Sequence, residues 1–191
     1  MPSLEGRHIS LRPLSREDRD DLLKASADGE LWKLFYTAAP GPETIDRWLD
    51  RALEEQARER SLPLVATMPT GQIIGSSRFM RLNFAHRRAE IGSTFFSRSV
   101  QRSAVNTEAK LLMLTYAFET MGCLCVQFRT DWLNRTSRRA IERLGAKLDG
   151  VLRNHTIMAN GRVRDTVCYS MIANEWPGVR QNLEFMLSEA Y

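Results

Sequence analysis

Apolar and polar residues alternate over residues 8–12 (His-Ile-Ser-Leu-Arg), the period of a half-buried strand. Pro13 ends that run. Ser15, with Asp18 three residues on, gives a capping-box-like start to a helix reaching about Asp28, and Gly29 closes it. Pro42 opens a second helix to about Glu59, with Ile45, Trp48, Leu49 and Leu53 on one face. Residues 64–67 and 72–82 read as a hairpin turning at Pro69-Thr70-Gly71, and residues 88–96 as the next strand. A helical period runs from Asn106 to Met121 before Gly122, and a strand over 124–130 follows. Residues 134–144 form a helix ended by Gly145. Residues 147–158 and 162–172 make a second hairpin around Asn160-Gly161, and residues 176–188 a helical tail.

This order makes a mixed sheet: antiparallel hairpins surround one strand–helix–strand crossover, the helix from Asn106, whose flanking strands run parallel. Ligands in such sheets sit at the carboxyl ends of the parallel strands, beside the start of the crossover helix. The loop there is Gln101-Arg102-Ser103-Ala104-Val105-Asn106-Thr107-Glu108-Ala109-Lys110. Backbone N–H groups entering a helix lack intrahelical partners and carry the positive end of its dipole, so they suit an anion such as a phosphate. Asn106 suits the cap, and Thr107 and Glu108 the first turn.

Composition narrows the picture. A chain of 191 residues with 43% hydrophobic content fits one domain, 1–191, with a sizeable core. No run is long and apolar enough to span a bilayer, and the start (Met-Pro-Ser-Leu-Glu-Gly-Arg) has no apolar secretory segment, so a cytoplasmic protein is expected. Cys123, Cys125 and Cys168 are odd in number and lie in apolar runs, as buried thiols rather than a disulfide framework. His8, His86 and His155 are scattered without ligand spacing, so no metal is expected. Net charge is +4, and lysine occurs only at positions 24, 33, 110 and 147. The arginines at 87, 88, 135, 138, 139 and 143 read as solvated faces interspersed with acids such as Asp131 and Glu142. No basic stripe is interleaved with aromatics, so DNA is not an expected partner.

These blocks together resemble the GNAT (GCN5-related) N-acetyltransferase superfamily, RimJ/RimL-like branch, over nearly the whole length. That family's pyrophosphate loop, Gln/Arg-x-x-Gly-x-Gly/Ala followed by Thr-Glu-Ala, is matched by residues 101–109. The second block, Asn-x-x-Ser before Leu-Gly-Ala, is matched by Asn134, Ser137, Leu144, Gly145 and Ala146. Glu90-Ile91-Gly92 matches the strand before the loop, and residues 150–155 and 164–170 resemble the closing hairpin. Both loop glycines are replaced, by Ala104 and Asn106; Ala104 can donate its N–H only at negative φ.

The resemblance implies an α/β (mixed α+β) GNAT fold. It has a central, mostly antiparallel sheet, one parallel crossover and helices on both faces. It implies acetyl-CoA as acyl donor and direct attack by an amine through a tetrahedral intermediate. The coenzyme is then expected at Phe96, Gln101, Arg102, Ser103, Ala104, Val105, Asn106, Thr107, Asn134 and Ser137. An N–H from Thr94 to Phe96 meets the thioester oxygen, and the Ser137 hydroxyl donates to the departing thiolate. Glu90 and Tyr169 are candidate proton-transfer groups, with Asp165 and His155 as others. Trp32, Phe35, Tyr36 and Trp132 are expected around the acceptor, a protein N-terminus or a small-molecule amine, on a monomer or homodimer. An α-amine with pKa near 8 costs under about 1 kcal/mol to deprotonate at neutral pH, against roughly 4 kcal/mol for a lysine near 10.4, so a site without an obvious base suits α-amines. A non-catalytic acyl-CoA-binding or sensor module, and a ribosome- or RNA-associated binding protein, are the alternatives.

Overall fold

The computed structural model describes residues 3–189; Met1, Pro2, Ala190 and Tyr191, the ends of the expected 1–191 domain, lie outside the described residues. Its eight strands form one sheet in the order β1-β2-β3-β4-β5-β6-β8-β7. They are β1 (Leu4–Glu5), β2 (Ser10–Pro13), β3 (Ser61–Thr67), β4 (Ile73–Asn83), β5 (Arg88–Phe96), β6 (Cys125–Asp131), β7 (Lys147–Ile157) and β8 (Val163–Ile172). The helices are α1 (Arg19–Ala27), α2 (Ile45–Ala57), α3 (Ala104–Thr115), α4 (Arg135–Arg143) and α5 (Trp176–Glu189). Among the described residues, only β5 and β6 pair in parallel, across the α3 crossover. The mixed, mostly antiparallel sheet expected from the sequence is therefore present.

Two apolar clusters lie on opposite faces of the sheet. On one, Phe79, Ile91, Phe128 and Tyr169 meet Val105, Ala109 and Met113 of α3 and Leu183 of α5. On the other, Val65, Ile73 and Phe95 meet Leu22 and Ala25 of α1 and Ile45, Leu49 and Ala52 of α2. Strand alternation produces this: in β4, Ser77 and Phe79 face α3, while Arg78 faces α2, its guanidinium 4.1 Å over the Trp48 ring.

The helix starts obey local chemistry. The Ser15 N–H and hydroxyl both donate to Asp18 Oδ2, at 2.8 and 3.3 Å, ahead of a 3₁₀ turn that runs into α1. Arg12 adds two hydrogen bonds to the same carboxylate at 2.9 and 2.6 Å, tying β2 to that turn. One expectation is corrected. α3 starts at Ala104, two residues before the expected Asn106, and its cap is Ser103, whose Oγ accepts from the Val105 N–H at 3.3 Å. A serine hydroxyl fills the capping role as well as an asparagine, so Asn106 falls inside the first turn. At its far end α3 runs into a π-helical turn, Tyr116–Thr120, before Gly122 at φ 62°.

Candidate active site

The parallel β5–β6 ladder lasts for three residue pairs, Arg88 with Cys125 to Glu90 with Gln127. Beyond it the strands part. On the other side of β5, Ser76 faces Phe95 while Arg78 faces Gly92, so two steps of β4 span three of β5. That bulge sits at Ser93 (φ 48°) and Thr94, both exposed. A bulge bends its strand and breaks the pairing locally. Gly75 permits it: a Cβ there would lie 2.1 Å from the Phe95 carbonyl oxygen.

The parting strands bound a cleft of about 730 Å³. Its walls are residues 91–96 of β5, residues 128–131 of β6, the α3 N-terminus and α4, and Leu34 with residues 36–39. The N–H groups that open α3 have no helical partner, and Ser103 takes only that of Val105. Gln101, Arg102, Ser103 and Asn106 line the cleft at that point. The left-handed residue of the loop is Arg102 (φ 62°), while Ala104 lies in the helix, where alanine is at ease. Gln101 Nε2 donates to the Phe96 carbonyl at 2.9 Å, fixing the loop against the end of β5. Ala104, Val105 and Thr107 are buried behind the wall, and Thr107 Oγ1 accepts from Arg143 at 3.0 Å.

Across the cleft, Asn134 caps α4: its Oδ1 accepts from the Ser137 N–H at 3.0 Å. Both side chains line the cleft, as does Phe96. Tyr36 lines it too, from the α1–α2 connection. Among the described residues, the lining does not include Glu90, Tyr169, Trp32, Phe35 or Trp132. Glu90 is 5% exposed and lies 3.0 Å from Arg81 Nε and 3.3 Å from Arg129 Nε, without hydrogen-bond alignment to either. Burial raises its pKa against the pull of Arg81, Arg129 and Arg164. Arg129 and Arg164 line the cleft, so Glu90 is charge-linked to the site. Tyr169 is 1% exposed; its hydroxyl donates to Glu142 at 2.7 Å and accepts from Arg138 at 3.2 Å, which anchors α4 on the sheet. Trp132 is an exposed platform for Arg138, 4.1 Å above its ring. Trp32 packs on Gly41, and Phe35 stands edge-on to Tyr36 with centroids 5.0 Å apart. Asp165 accepts from the Asn154 N–H and from Arg153, which lower its pKa and make it a weak proton acceptor. His155 Nδ1 lies 3.0 Å from the Thr166 hydroxyl.

Among the lining residues that the sequence reading did not assign to the site, three stand out. Arg139 and Arg143 are one helical turn apart and reach the cleft from α4. Their i, i+4 spacing behind Asn134 was the available signal. The third is Lys110, 6% exposed, whose Nζ donates to Ser77 Oγ at 3.1 Å and Thr94 Oγ1 at 3.0 Å.

A split parallel pair, a strand bulge at the split and a helix start aimed into it define an acyltransferase of the GNAT type. The acetyltransferase (GNAT) domain family matches residues 8–147, and the chain belongs to that family. A Bacillus subtilis (strain 168) protein named "Putative ribosomal N-acetyltransferase YdaF" is 26% identical over 178 residues, 90% of this chain and 94% of that one. A GCN5-related N-acetyltransferase from Brucella melitensis superposes with a TM-score of 0.86 at 29% identity, covering 99% of this chain and 86% of that one. Mycobacterium smegmatis RimJ, solved with CoA-disulfide, shares the fold with a TM-score of 0.78 at 19% identity, over 93% of this chain and 88% of that one.

Proposed function

We propose that this chain transfers an acetyl group from acetyl-CoA to a primary amine, a protein N-terminal α-amine or a small-molecule amine, by direct attack through a tetrahedral intermediate. The carrying observation is the cleft between β5 and β6, which meets the start of α3 at one end and the bulge at Ser93 and Thr94 along its wall. A coenzyme laid there puts its pyrophosphate on the free amides of Ala104 and Asn106 beside Arg102. Its pantetheine arm runs along the unpaired edge of β5, where Phe96 and its neighbours offer backbone groups. Asn134 steadies that arm, and Ser137, one turn along α4, donates to the leaving thiolate. Developing oxyanion charge falls on N–H groups of the bulge. The amine approaches from the side of Tyr36, with Phe35, Trp32 and Trp132 shaping the approach. Glu90 tunes the charge behind Arg129. A cytoplasmic protein acting as monomer or homodimer suits this reading. The name of the B. subtilis relative, a ribosomal N-acetyltransferase, supports trying ribosomal-protein amines first as acceptors.

The test is calorimetric binding of acetyl-CoA, followed by thiol release with matched peptides that offer either an α-amine or a lysine ε-amine. Tight binding and faster α-amine acetylation are expected. Absence of thiol release with every amine, despite tight binding, identifies a sensor module. Salt-sensitive binding to bulk RNA without coenzyme binding identifies an RNA-associated protein instead.

A further inference from the structure

Lys110 is the one lysine of the cleft lining, and nothing in the transfer reaction described above uses it. Its Nζ forms a closed triangle with two hydroxyls: 3.1 Å to Ser77 Oγ, 3.0 Å to Thr94 Oγ1, and 2.7 Å between the hydroxyls. Ser77 stands on β4 and Thr94 on the β5 bulge, so the triangle spans the gap where the ladder slips. Thr94 is exposed and lines the cleft, whereas Ser77 is fully buried. Thr94 is thus the solvent-facing end of a short polar chain that ends on a buried amine.

No carboxylate pairs with that amine among the described residues; desolvation alone sets its pKa and pushes it down to about 7. The charged groups of the elements packed around it leave the amine without an ionic partner. On α3, Glu108 is turned away and held by the N–H groups of Arg7, His8 and Ile9. Arg78 of β4 and Glu90 of β5 lie on the other face of the sheet, beside Trp48 and between Arg81 and Arg129 respectively. Around the cleft stand Arg102, Arg129, Arg139, Arg143 and Arg164, against one acid, Asp131, which is ion-paired with Arg162.

The two states of such an amine order the hydroxyls differently. As an ammonium it donates to both, and the Thr94 proton points to Ser77 or out to the cleft. As a neutral amine it has a lone pair, the Thr94 proton turns inward to it, and Thr94 Oγ1 shows a lone pair to the cleft. The geometry points to a proton relay: Thr94 Oγ1 takes the proton of the attacking amine while passing its own to Lys110 Nζ. The inference rests on the acetyl-transfer reading. The N–C bond forms and the C–S bond breaks, its electron pair leaving on the coenzyme thiolate. The proton lost by the nitrogen stays on Thr94 Oγ1, and the proton Thr94 held before ends on Lys110 as an ammonium, which returns it to solvent through Thr94 before the next turnover. Lys110 acts through Thr94 and touches no substrate; Thr94 is the group at the reacting atoms. A proton acceptor poised near the working pH maximises the rate of such a transfer.

The experiment is the pH dependence of kcat, read by thiol release at saturating acetyl-CoA and peptide α-amine, for wild type, Lys110→Met, Thr94→Val and Thr94→Ser. The wild-type rate is expected to rise through about pH 7 and level off, as an acceptor with that pKa requires. Lys110→Met and Thr94→Val should each lose roughly 100-fold in kcat, keep KM for acetyl-CoA within about threefold, and lose the limb near neutrality. Thr94→Ser, which retains the hydroxyl, should recover most of the rate. Thr94→Val is nearly isosteric and leaves α3 untouched, so a folding failure of Lys110→Met does not block the test. The relay is overturned if Thr94→Val keeps the wild-type profile, or if its loss lies in KM with the limb intact, the mark of a purely structural triangle. A wild-type chain that binds acetyl-CoA by calorimetry but turns over no amine overturns the transfer reading and the relay with it. A wild type that turns over while its variants share its profile overturns the relay alone.

Discussion

Lys110 makes a prediction about stability that needs no substrate. Its folded pKa is about 7, while an unfolded lysine titrates near 10.4. Between those values the unfolded chain holds a proton that the folded chain does not, so stability rises with pH across that window. The difference in unfolding free energy between wild type and Lys110→Met, read in urea at successive pH values, should climb with a slope approaching about 1.4 kcal/mol per pH unit from pH 7 to 10, and flatten below. A flat difference throughout would show that the amine stays charged in the fold. Gly75 carries a second prediction at this scale. Gly75→Ala sets a Cβ at 2.1 Å from a backbone oxygen that has nowhere to go, so β4 or the bulge must shift. A loss on the order of 3 kcal/mol in thermal or denaturant unfolding is expected, with weaker acetyl-CoA binding because the bulge moves. Neither residue advertised this in the sequence. One lysine after Thr-Glu-Ala is unremarkable as a letter, and what makes it unusual is the pair of hydroxyls brought from β4 and β5, 33 and 16 residues away along the chain.

At the scale of elements, hydrophobic period and punctuation placed nearly everything. Gly29, Gly71, Gly122, Gly145 and Gly161 all take positive φ at the ends and turns where they were read. The errors came where two local signals compete or where side chains from elsewhere decide. α3 began early because Ser103 competes with Asn106 for the cap. The missing loop glycines followed from the same shift: positions 104 and 106 are helical, and the left-handed step passes to Arg102. The pairing of β6 with β8, leaving β7 at the edge, is a tertiary choice that no local pattern encodes. Glu108 belongs to the same class. Inside the Thr-Glu-Ala block it suits a helix first turn, yet its carboxylate reaches back to accept from the N–H groups of Arg7 at 2.8 Å, His8 at 2.6 Å and Ile9 at 2.9 Å. It thereby locks the segment between β1 and β2 onto α3. Glu108→Gln replaces one acceptor oxygen with a donor and leaves at least one of the three N–H groups unmet. It should cost about 2–3 kcal/mol in thermal unfolding and raise amide exchange at residues 7–9 selectively. Uniform exchange would mean the carboxylate holds no particular segment.

Over the whole molecule the basic excess is not spread evenly. Charges on the outer surface largely pair off, as Arg19 with Asp46, Arg16 with Asp50 and Arg180 with Glu184. The cleft gathers Arg102, Arg129, Arg139, Arg143 and Arg164 around the single lining acid, Asp131. The net charge of +4 is thus concentrated where a ligand bearing a pyrophosphate would lie. Arg139 and Arg143 are exposed, so each contributes in a screened environment and far less than a buried pair. Their summed field still acts within about one Debye length, near 10 Å at 0.1 M salt. Reversing both, Arg139→Glu with Arg143→Glu, should weaken acetyl-CoA binding by about 100-fold at low salt and by much less at about 0.5 M, because screening removes the repulsion as it removes the attraction. The melting temperature should fall little, since the one bond lost inside the fold is that from Arg143 to Thr107. Calorimetry across a salt series reads both effects. Equal affinity and equal salt dependence in the two proteins would place the phosphates away from α4, and with them the orientation of the coenzyme along β5.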